Sequence, residues 1–310
     1  MIAVEGLRHA YRRGATPSLD GLDFEVAAGE VFGLLGPNGA GKTTAVKILT
    51  TILKPTAGRA TVGGHDVVRH PLEARRQLTA VLQESAVEPL LSVRDNLRVY
   101  GLLHGLAGAA LARRLAAAVE MLELSDQLDK RAQTLSGGFK RRLQVAKAFM
   151  VETPVLFLDE ATTGMDPLIK QRVMGAIREA VAGGRTVLLT TQLLDEAEAL
   201  CDRMLLLDRG KARAVGRLRE LRELAGRRFE IRLAFAQPGE GLAALSELAP
   251  RHLEERDGEI VLTVAGNEDE WIRHMARISE RWPLAHLEMR GASLEQIFLE
   301  LYGRAEETPS

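Results

Sequence analysis

Residues 36–44 read Gly-Pro-Asn-Gly-Ala-Gly-Lys-Thr-Thr, and this stretch limits the possible folds more than any other. Gly36, Pro37, Asn38, Gly39, Ala40, Gly41, Lys42 and Thr43 fit G-x-x-x-x-G-K-[ST], the pattern of a phosphate-binding loop, and Thr44 follows. Glycines let such a loop turn tightly and aim its N–H groups at phosphate oxygens. Lys42 brings a point charge to the β- and γ-phosphates, and the Thr43 hydroxyl completes a Mg²⁺ shell. The apolar run Glu30–Leu35 predicts a buried strand before the loop, and Val46, Leu49, Ile52 and Leu53 predict a helix stripe after it. Strand, loop and helix in that order put a helix N-terminus at the anion. The motif implies triphosphate binding and says nothing of how the energy is used.

A chain of 310 residues has room for about two domains. Its formal charge of −1 argues against a general affinity for nucleic acid or anionic lipid. No apolar run approaches the ~20 residues of a membrane span, and the first residues lack a signal-peptide pattern. One cysteine, Cys201, excludes an internal disulfide framework and fits a reducing cytosol. The histidines are scattered without a pair at ligand spacing, so no zinc site is expected.

Ahead of the loop, Ile2–Val4 and Leu22–Val26 read as a short antiparallel sheet split by a turn at Arg12-Arg13-Gly14. Tyr11, near that turn, is either a ring that stacks on a nucleotide base or a half-buried strand tyrosine. Thr56–Gly64 reads as turn, short strand and turn. A second buried strand, Leu78–Leu82, ends at Gln83, which is either a ligand at the C-terminal edge of an α/β sheet or an ordinary edge amide.

From Ser92 to about Met150 the spacing is helical, as in Val93, Leu97 and Tyr100, then Leu111, Leu115, Val119 and Leu122. Within this insertion, at about 85–150, lies Leu135-Ser136-Gly137-Gly138. Ser136 is a good N-cap, and the two glycines leave first-turn N–H groups open to an anion; a capped helix start is the plain alternative. Lys140-Arg141-Arg142 reads as a solvated face.

The apolar run Val155–Leu158 ends in two carboxylates. Asp159 there suits a Mg²⁺-side contact and Glu160 a general base for the attacking water. Thr162–Pro167 is a turn, Ile169, Val173 and Ile177 restore helical spacing, and the strand Thr186–Thr191 ends at Gln192. A strand Met204–Asp208 closes the sheet. Strands alternating with helices predict a mostly parallel, doubly wound α/β core.

Past Arg209 basic residues outnumber acidic ones, and residues 216–228 read as a linker helix with a solvated basic face. The rest reads as strand Phe229–Phe235, helix Leu242–Leu248, strand Leu253–Arg256, a turn at Asp257-Gly258 and strand Glu259–Val264. A helix carrying Trp271 to Ile278, a strand Leu284–Met289 and a closing helix at Leu294–Leu301 follow. The order βαββαβ suggests a ferredoxin-like α+β accessory domain over 229–303, with a frayed tail at 304–310.

Together these pieces resemble the ATP-binding subunits of ABC transporters, over roughly residues 1–215. The signature Leu135-Ser136-Gly137-Gly138 separates that family from other P-loop enzymes. The resemblance implies a P-loop NTPase core with an antiparallel β subdomain and a helical subdomain, ATP and Mg²⁺ as cofactors, and ATP hydrolysis coupled to transmembrane transport. It makes Tyr11 the adenine-stacking ring, Gln83 a Mg²⁺ contact that couples to the permease, Asp159 the Mg²⁺-side carboxylate, Glu160 the catalytic base and Asp166 the aspartate that communicates across a dimer. It further implies a second, identical cassette as partner, because in the family the Ser136-Gly137-Gly138 loop caps the γ-phosphate held by the partner.

Three positions depart from the family pattern. Phe139 stands where the signature usually has glutamine, Ala161 replaces the proline after the glutamate, and Gln192 replaces the switch histidine. An amide still donates to a γ-phosphate but does not titrate near neutral pH. The Thr-Thr-Gln variant, the following Leu-Leu-Asp-Glu-Ala and a C-terminal extension are similar to the daunorubicin-resistance-type export branch. That branch works with separately encoded type-2 permeases that move drugs, lipids or polysaccharides outward, which implies a peripheral position on the cytoplasmic face of the membrane. The alternative is a soluble ABC-type ATPase acting on ribosomes or DNA. Such proteins generally carry two cassettes or long coiled-coil or zinc insertions, none of which this sequence has.

Overall fold

The computed structural model describes residues 1–12, 14–84, 86–224, 226, 228–237, 245, 252–256, 259–266 and 268–303. By internal contacts the chain divides into two units, Met1–Val215 and Gly216–Ser310.

In the first unit β1 (Ile2–His9) pairs antiparallel with β2 (Leu19–Val26), so both strands are longer than the apolar runs suggested. Buried Leu22, Phe24 and Val26 alternate with Asp23 and Glu25 along β2, and Ile2, Val4 and Leu7 are buried on β1 across a register shift between Val4 and Leu7, as a one-sided sheet requires. β3 (Val31–Leu35) is buried along its length and leads through the glycine-rich loop into α1 (Lys42–Leu49). Val46 and Leu49 are buried as the stripe predicted; Ile52 is not, because the helix ends before it and Thr51 takes a left-handed conformation.

β4 (Ala57–Val62) joins the other edge of β1, and β5 (His65–Asp66) completes the order β2-β1-β4-β5. A short helix, α2 (Pro71–Arg76), had no counterpart in the periodicity; Pro at its first turn and Arg75 and Arg76 in its last are its local signals. β6 (Leu78–Val81) returns to the main sheet. Three helices then occupy the expected insertion: α3 (Val93–Leu103), α4 (Gly108–Met121) and α5 (Gly137–Met150). Ser92 and Ser136 cap α3 and α5, their hydroxyls accepting from Asp95 N–H and Phe139 N–H.

The chain re-enters the sheet as β7 (Val155–Asp159), continues through α6 (Pro167–Ala182) to β8 (Thr186–Thr190), and through α7 (Leu194–Leu200) to β9 (Arg203–Asp208) and β10 (Lys211–Gly216). The six-stranded order is β10-β9-β3-β8-β7-β6, with parallel pairing from β9 through to β6. β9 therefore does not close the sheet. It lies inside, and β10, from the stretch whose charge had suggested a linker, forms the edge.

The strands alternate between two cores. Val31, Leu156, Leu158, Val187 and Leu189 face the cluster shared with the helical insertion. Phe32, Phe157, Leu188, Leu205 and Leu207 face the cluster shared with α1 and the antiparallel sheet. Both faces being covered explains why these strands read as unbroken apolar runs.

The second unit begins with α8 (Leu218–Leu224), whose Leu221 is buried and whose Arg222 donates to the Ala292 carbonyl at 2.8 Å. β11 (Arg228–Phe235), β12 (His252–Arg256), β13 (Glu259–Ala265) and β14 (Leu284–Gly291) form an antiparallel sheet of order β12-β13-β11-β14. Helices Glu268–Arg281 and Leu294–Gly303 follow β13 and β14. Ile231, Leu233, Leu262 and Val264 pack with Trp271, Met275 and Ile278 of the first of these. The turn at Asp257-Gly258, most of the expected helix Leu242–Leu248 and the tail 304–310 lie outside the described residues.

Candidate functional site

The glycine-rich loop leaves the C-terminal end of β3 and passes hard against other backbone. A Cβ at Gly36 would stand 2.2 Å from the Leu207 carbonyl oxygen, and one at Gly41, where φ is 111°, would stand 2.4 Å from that of Ser18. No L side chain fits either position, so the loop's path depends on these glycines. The Lys42 side chain folds back along the loop, its Nζ donating to the Gly36 carbonyl at 2.7 Å and the Pro37 carbonyl at 3.0 Å. Burial lowers its pKa, while the charges of Glu160 and Asp159 act the other way. A cation held against the loop by two of its own carbonyls is placed to meet a polyphosphate.

β7 delivers the two carboxylates. Asp159 is 1% exposed, and one of its oxygens, Oδ2, is buried with no hydrogen-bond partner among the described residues. The other accepts from the Thr190 hydroxyl. Burial raises the Asp159 carboxyl above its ordinary value, and the neighbouring Glu160 charge adds to this; the hydrogen bond from Thr190, the nearby Thr43 hydroxyl and the charge of Arg141 oppose it. An orphaned, desolvated carboxylate oxygen beside a loop hydroxyl is a costly arrangement for the protein alone and a good one for a hard cation.

Glu160 sits in the left-handed region, φ 53°, where non-glycine residues are rare. Its N–H donates to the Thr190 carbonyl at 3.0 Å and to the Thr190 hydroxyl at 3.2 Å, which fixes the turn. Strain of this kind persists where surrounding contacts over-determine it. Gln192, just beyond β8, closes the arrangement: its Nε2 donates to Glu160 Oε1 at 2.7 Å and to Asn38 Oδ1 at 3.0 Å. One amide thus joins the phosphate loop to the second carboxylate.

Tyr11 is 63% exposed, and its hydroxyl lies 3.2 Å from the Thr44 hydroxyl, so its ring stands open beside the start of α1. Gln83 lines a cleft with Gly137, Arg141, Gln144 and Glu160. Among the described residues nothing lies within 4 Å of where a Cβ on Gly137 would be, whereas one on Gly138 would meet the Gly164 carbonyl oxygen at 3.1 Å. Asp166 is used locally: it caps α6 by accepting from Ile169 N–H at 3.1 Å and pairs with Arg142. Phe139 lies under that same guanidinium, 4.8 Å from ring centroid to Cζ, which gives the aromatic residue at the head of α5 a role no glutamine would share.

The expected solvated face at Lys140-Arg141-Arg142 is corrected: Arg141 is 9% exposed and donates into the protein. Two more groups escaped the sequence reading. Thr190 braces both carboxylate residues. Glu196 is buried and accepts from Thr162 at 2.7 and 2.9 Å and from Thr191 at 3.3 Å, tying the segment after Glu160 to the residue before Gln192. A threonine at a strand's C-terminal end was the available signal for Thr190 and Thr191, by the same logic that picked out Gln83.

The ABC transporter family model matches residues 19–163. The chain is 39% identical over 307 residues to the doxorubicin resistance ATP-binding protein DrrA of Mycobacterium tuberculosis, covering 97% of this chain and 93% of that protein. The chain belongs to the ABC transporter family. A second relative, the Nod factor export ATP-binding protein I of Ralstonia nicotianae, is 35% identical over 310 residues, covering 98% and 94% of the two chains. Among solved structures, the ATP-binding subunit of an ABC transporter superposes with a TM-score of 0.68 at 29% identity, covering 72% of this chain and 92% of that one. As an ABC ATPase the chain binds ATP and hydrolyses it to drive transport. No helix of the described residues is long and apolar enough to cross a membrane.

Proposed function

We propose that this ABC ATPase is the motor of an export system, working as one of two cassettes on a separately encoded permease at the cytoplasmic face of a membrane. The observation that carries its catalytic reading is the orphaned Asp159 oxygen beside the phosphate loop. The backbone of Gly36–Thr44 and the Lys42 ammonium would hold the β- and γ-phosphates. The Thr43 hydroxyl, the Asp159 carboxylate and the Gln83 side-chain oxygen form a hard oxygen set suited to Mg²⁺, which when bound neutralises phosphate charge. Glu160 takes a proton from the attacking water as general base. Tyr11 stacks on the adenine from its exposed position.

Cassettes of this family dimerise. The open space around Gly137 supports a contact with the partner's nucleotide through Leu135, Ser136, Gly137 and Gly138, since none of the described residues crowds the position of a Cβ there. Asp166, at the head of α6 and paired with Arg142 of α5, lies beside the signature helix, which supports its role in communication across the dimer. A groove lined by Ala86, Val87, Leu91, Val99 and Leu103, the last 80% exposed, supports permease docking next to the Gln83 segment. Both curated relatives carry resistance or export in their names, which favours outward transport. The sheet order of the C-terminal unit, read as β14-β11-β13-β12 with the helix Glu268–Arg281 between β13 and β14, supports a ferredoxin-like accessory domain.

Affinity capture of the tagged full chain from native membranes should retain a polytopic membrane protein, and export of a drug, lipid or polysaccharide should stop when the chain is deleted. Capture of ribosomes instead would defeat the export reading. For Gln192, substitution by Ala should lower kcat about 10–100-fold, the worth of one hydrogen bond to a charged group at roughly 1.5–3 kcal/mol. Gln192→His should restore turnover and add a pH-dependent limb near about 6.5 that the wild type lacks. Full ATPase activity in Gln192→Ala would remove this residue from the γ-phosphate contact.

A further inference from the structure

Helix α5 carries a row of three polar side chains, Arg141, Gln144 and Lys147, spaced i, i+3, i+6 along one slowly winding face. Each is at least nine-tenths buried, at 9%, 7% and 9% exposure. Long charged side chains are seldom buried unless something accepts from them. Here the acceptors are alternate main-chain carbonyls of a single segment. Arg141 Nη1 donates to Leu82 O at 2.6 Å, Gln144 Nε2 to Glu84 O at 3.0 Å and Lys147 Nζ to Ala86 O at 2.8 Å. Arg141 also donates from Nη1 to Gln144 Oε1 at 2.9 Å and from Nη2 to the Asp159 carbonyl. The row therefore runs from the helix headed by Ser136-Gly137-Gly138 to the backbone on both sides of Gln83 and to the end of β7.

We infer that the Arg141–Gln144–Lys147 ladder is a positioning device that makes the signature helix and the Gln83 segment move as one body, with Arg141 holding the Asp159 end of β7 in register with them. The inference rests on the proposed reading in which Gln83 and Ser136-Gly137-Gly138 serve one ATP cycle. Its chemical basis is that main-chain carbonyls are read regardless of side-chain identity, so the Gln83 side chain stays free for ligand while its backbone is held. Arg141 is the strongest rung because a planar fork can hold carbonyls from two strand ends at once, which a lysine cannot. Lys147 holds one carbonyl, which an arginine can also reach.

The test uses the purified full chain and three variants, Arg141→Met, Lys147→Met and Lys147→Arg. Steady-state ATPase is measured well below each Tm and normalised to folded protein. Amide hydrogen exchange of the 83–88 segment is followed in parallel. Arg141→Met should lower kcat about 10–100-fold while KM for ATP stays within about threefold, because the phosphate loop of the same chain is untouched. Exchange in 83–88 should quicken by about tenfold or more in both Met variants, and Lys147→Arg should recover most of what Lys147→Met loses. Unchanged exchange, or a loss of activity explained wholly by loss of folded protein with Lys147→Arg no better than Lys147→Met, overturns the ladder. A wild-type chain without ATPase activity counts against the proposed function and leaves the exchange result to decide the ladder.

Discussion

Glu160→Gln is expected to lower the turnover of ATP by about 10²–10⁴-fold, the usual worth of a general base, with KM for ATP little changed. The substitution is a clean one at this position. Gln192 donates to Glu160 Oε1 at 2.7 Å, and the carbonyl oxygen of a glutamine amide accepts that bond equally well. The backbone stays in its left-handed turn because the two Thr190 contacts that hold it involve only the Glu160 N–H. What is lost is the capacity to take a proton. An enzyme that binds ATP but cannot cleave it should keep the γ-phosphate link between two cassettes, so the variant should run as a dimer with saturating Mg²⁺-ATP and as a monomer without it. Size-exclusion chromatography with light scattering measures this directly. A monomer under saturating ATP would contradict the shared-site reading, and near-normal turnover would remove Glu160 as base.

How far the sequence revealed this site depends on how local each part is. The phosphate loop could be read in full because one short segment carries its strand, its obligate glycines, its lysine and its helix. The Asp159-Glu160 pair could be read because a strand buried on both faces leaves an unmistakable apolar run before its polar end. The bridge from Gln192 to Asn38 was invisible: the two are 154 positions apart, and only the adjacency of β3 and β8 in the sheet brings them together. The same limit misplaced β9, since strand order depends on crossovers that hydropathy does not record. Arg141 was misread for another reason. A run of three basic residues looks solvated when only charge is counted, yet on a helix the middle residue points away from its neighbours, here toward carbonyls at the ends of β6 and β7.

The second large effect concerns Asp159, where stability and function should part. Burial raises its carboxyl in the metal-free protein, and a group whose folded-state pKa is raised favours folding in its protonated form. Its contribution is fully present below the unfolded-state value, about 3.9, and is lost as pH rises through the higher folded value. At neutral pH the metal-free chain therefore bears the cost of a buried charge with one orphaned oxygen. Asp159→Asn removes the charge and retains an oxygen for the Thr190 hydroxyl, so Tm in EDTA at pH 7 should rise above that of the wild type. The same change takes away the anionic ligand for Mg²⁺, and hydrolysis should fall by on the order of 10³-fold or more, several kcal/mol at about 1.4 per decade. Adding Mg²⁺-ATP should then reverse the order of stabilities, because only the wild type gains the binding energy of the metal complex. Differential scanning fluorimetry with EDTA and with Mg²⁺-ATP separates the two terms. A lower Tm for Asp159→Asn in EDTA would mean that the carboxylate is compensated within the protein, and the orphaned oxygen would then not mark a cation site.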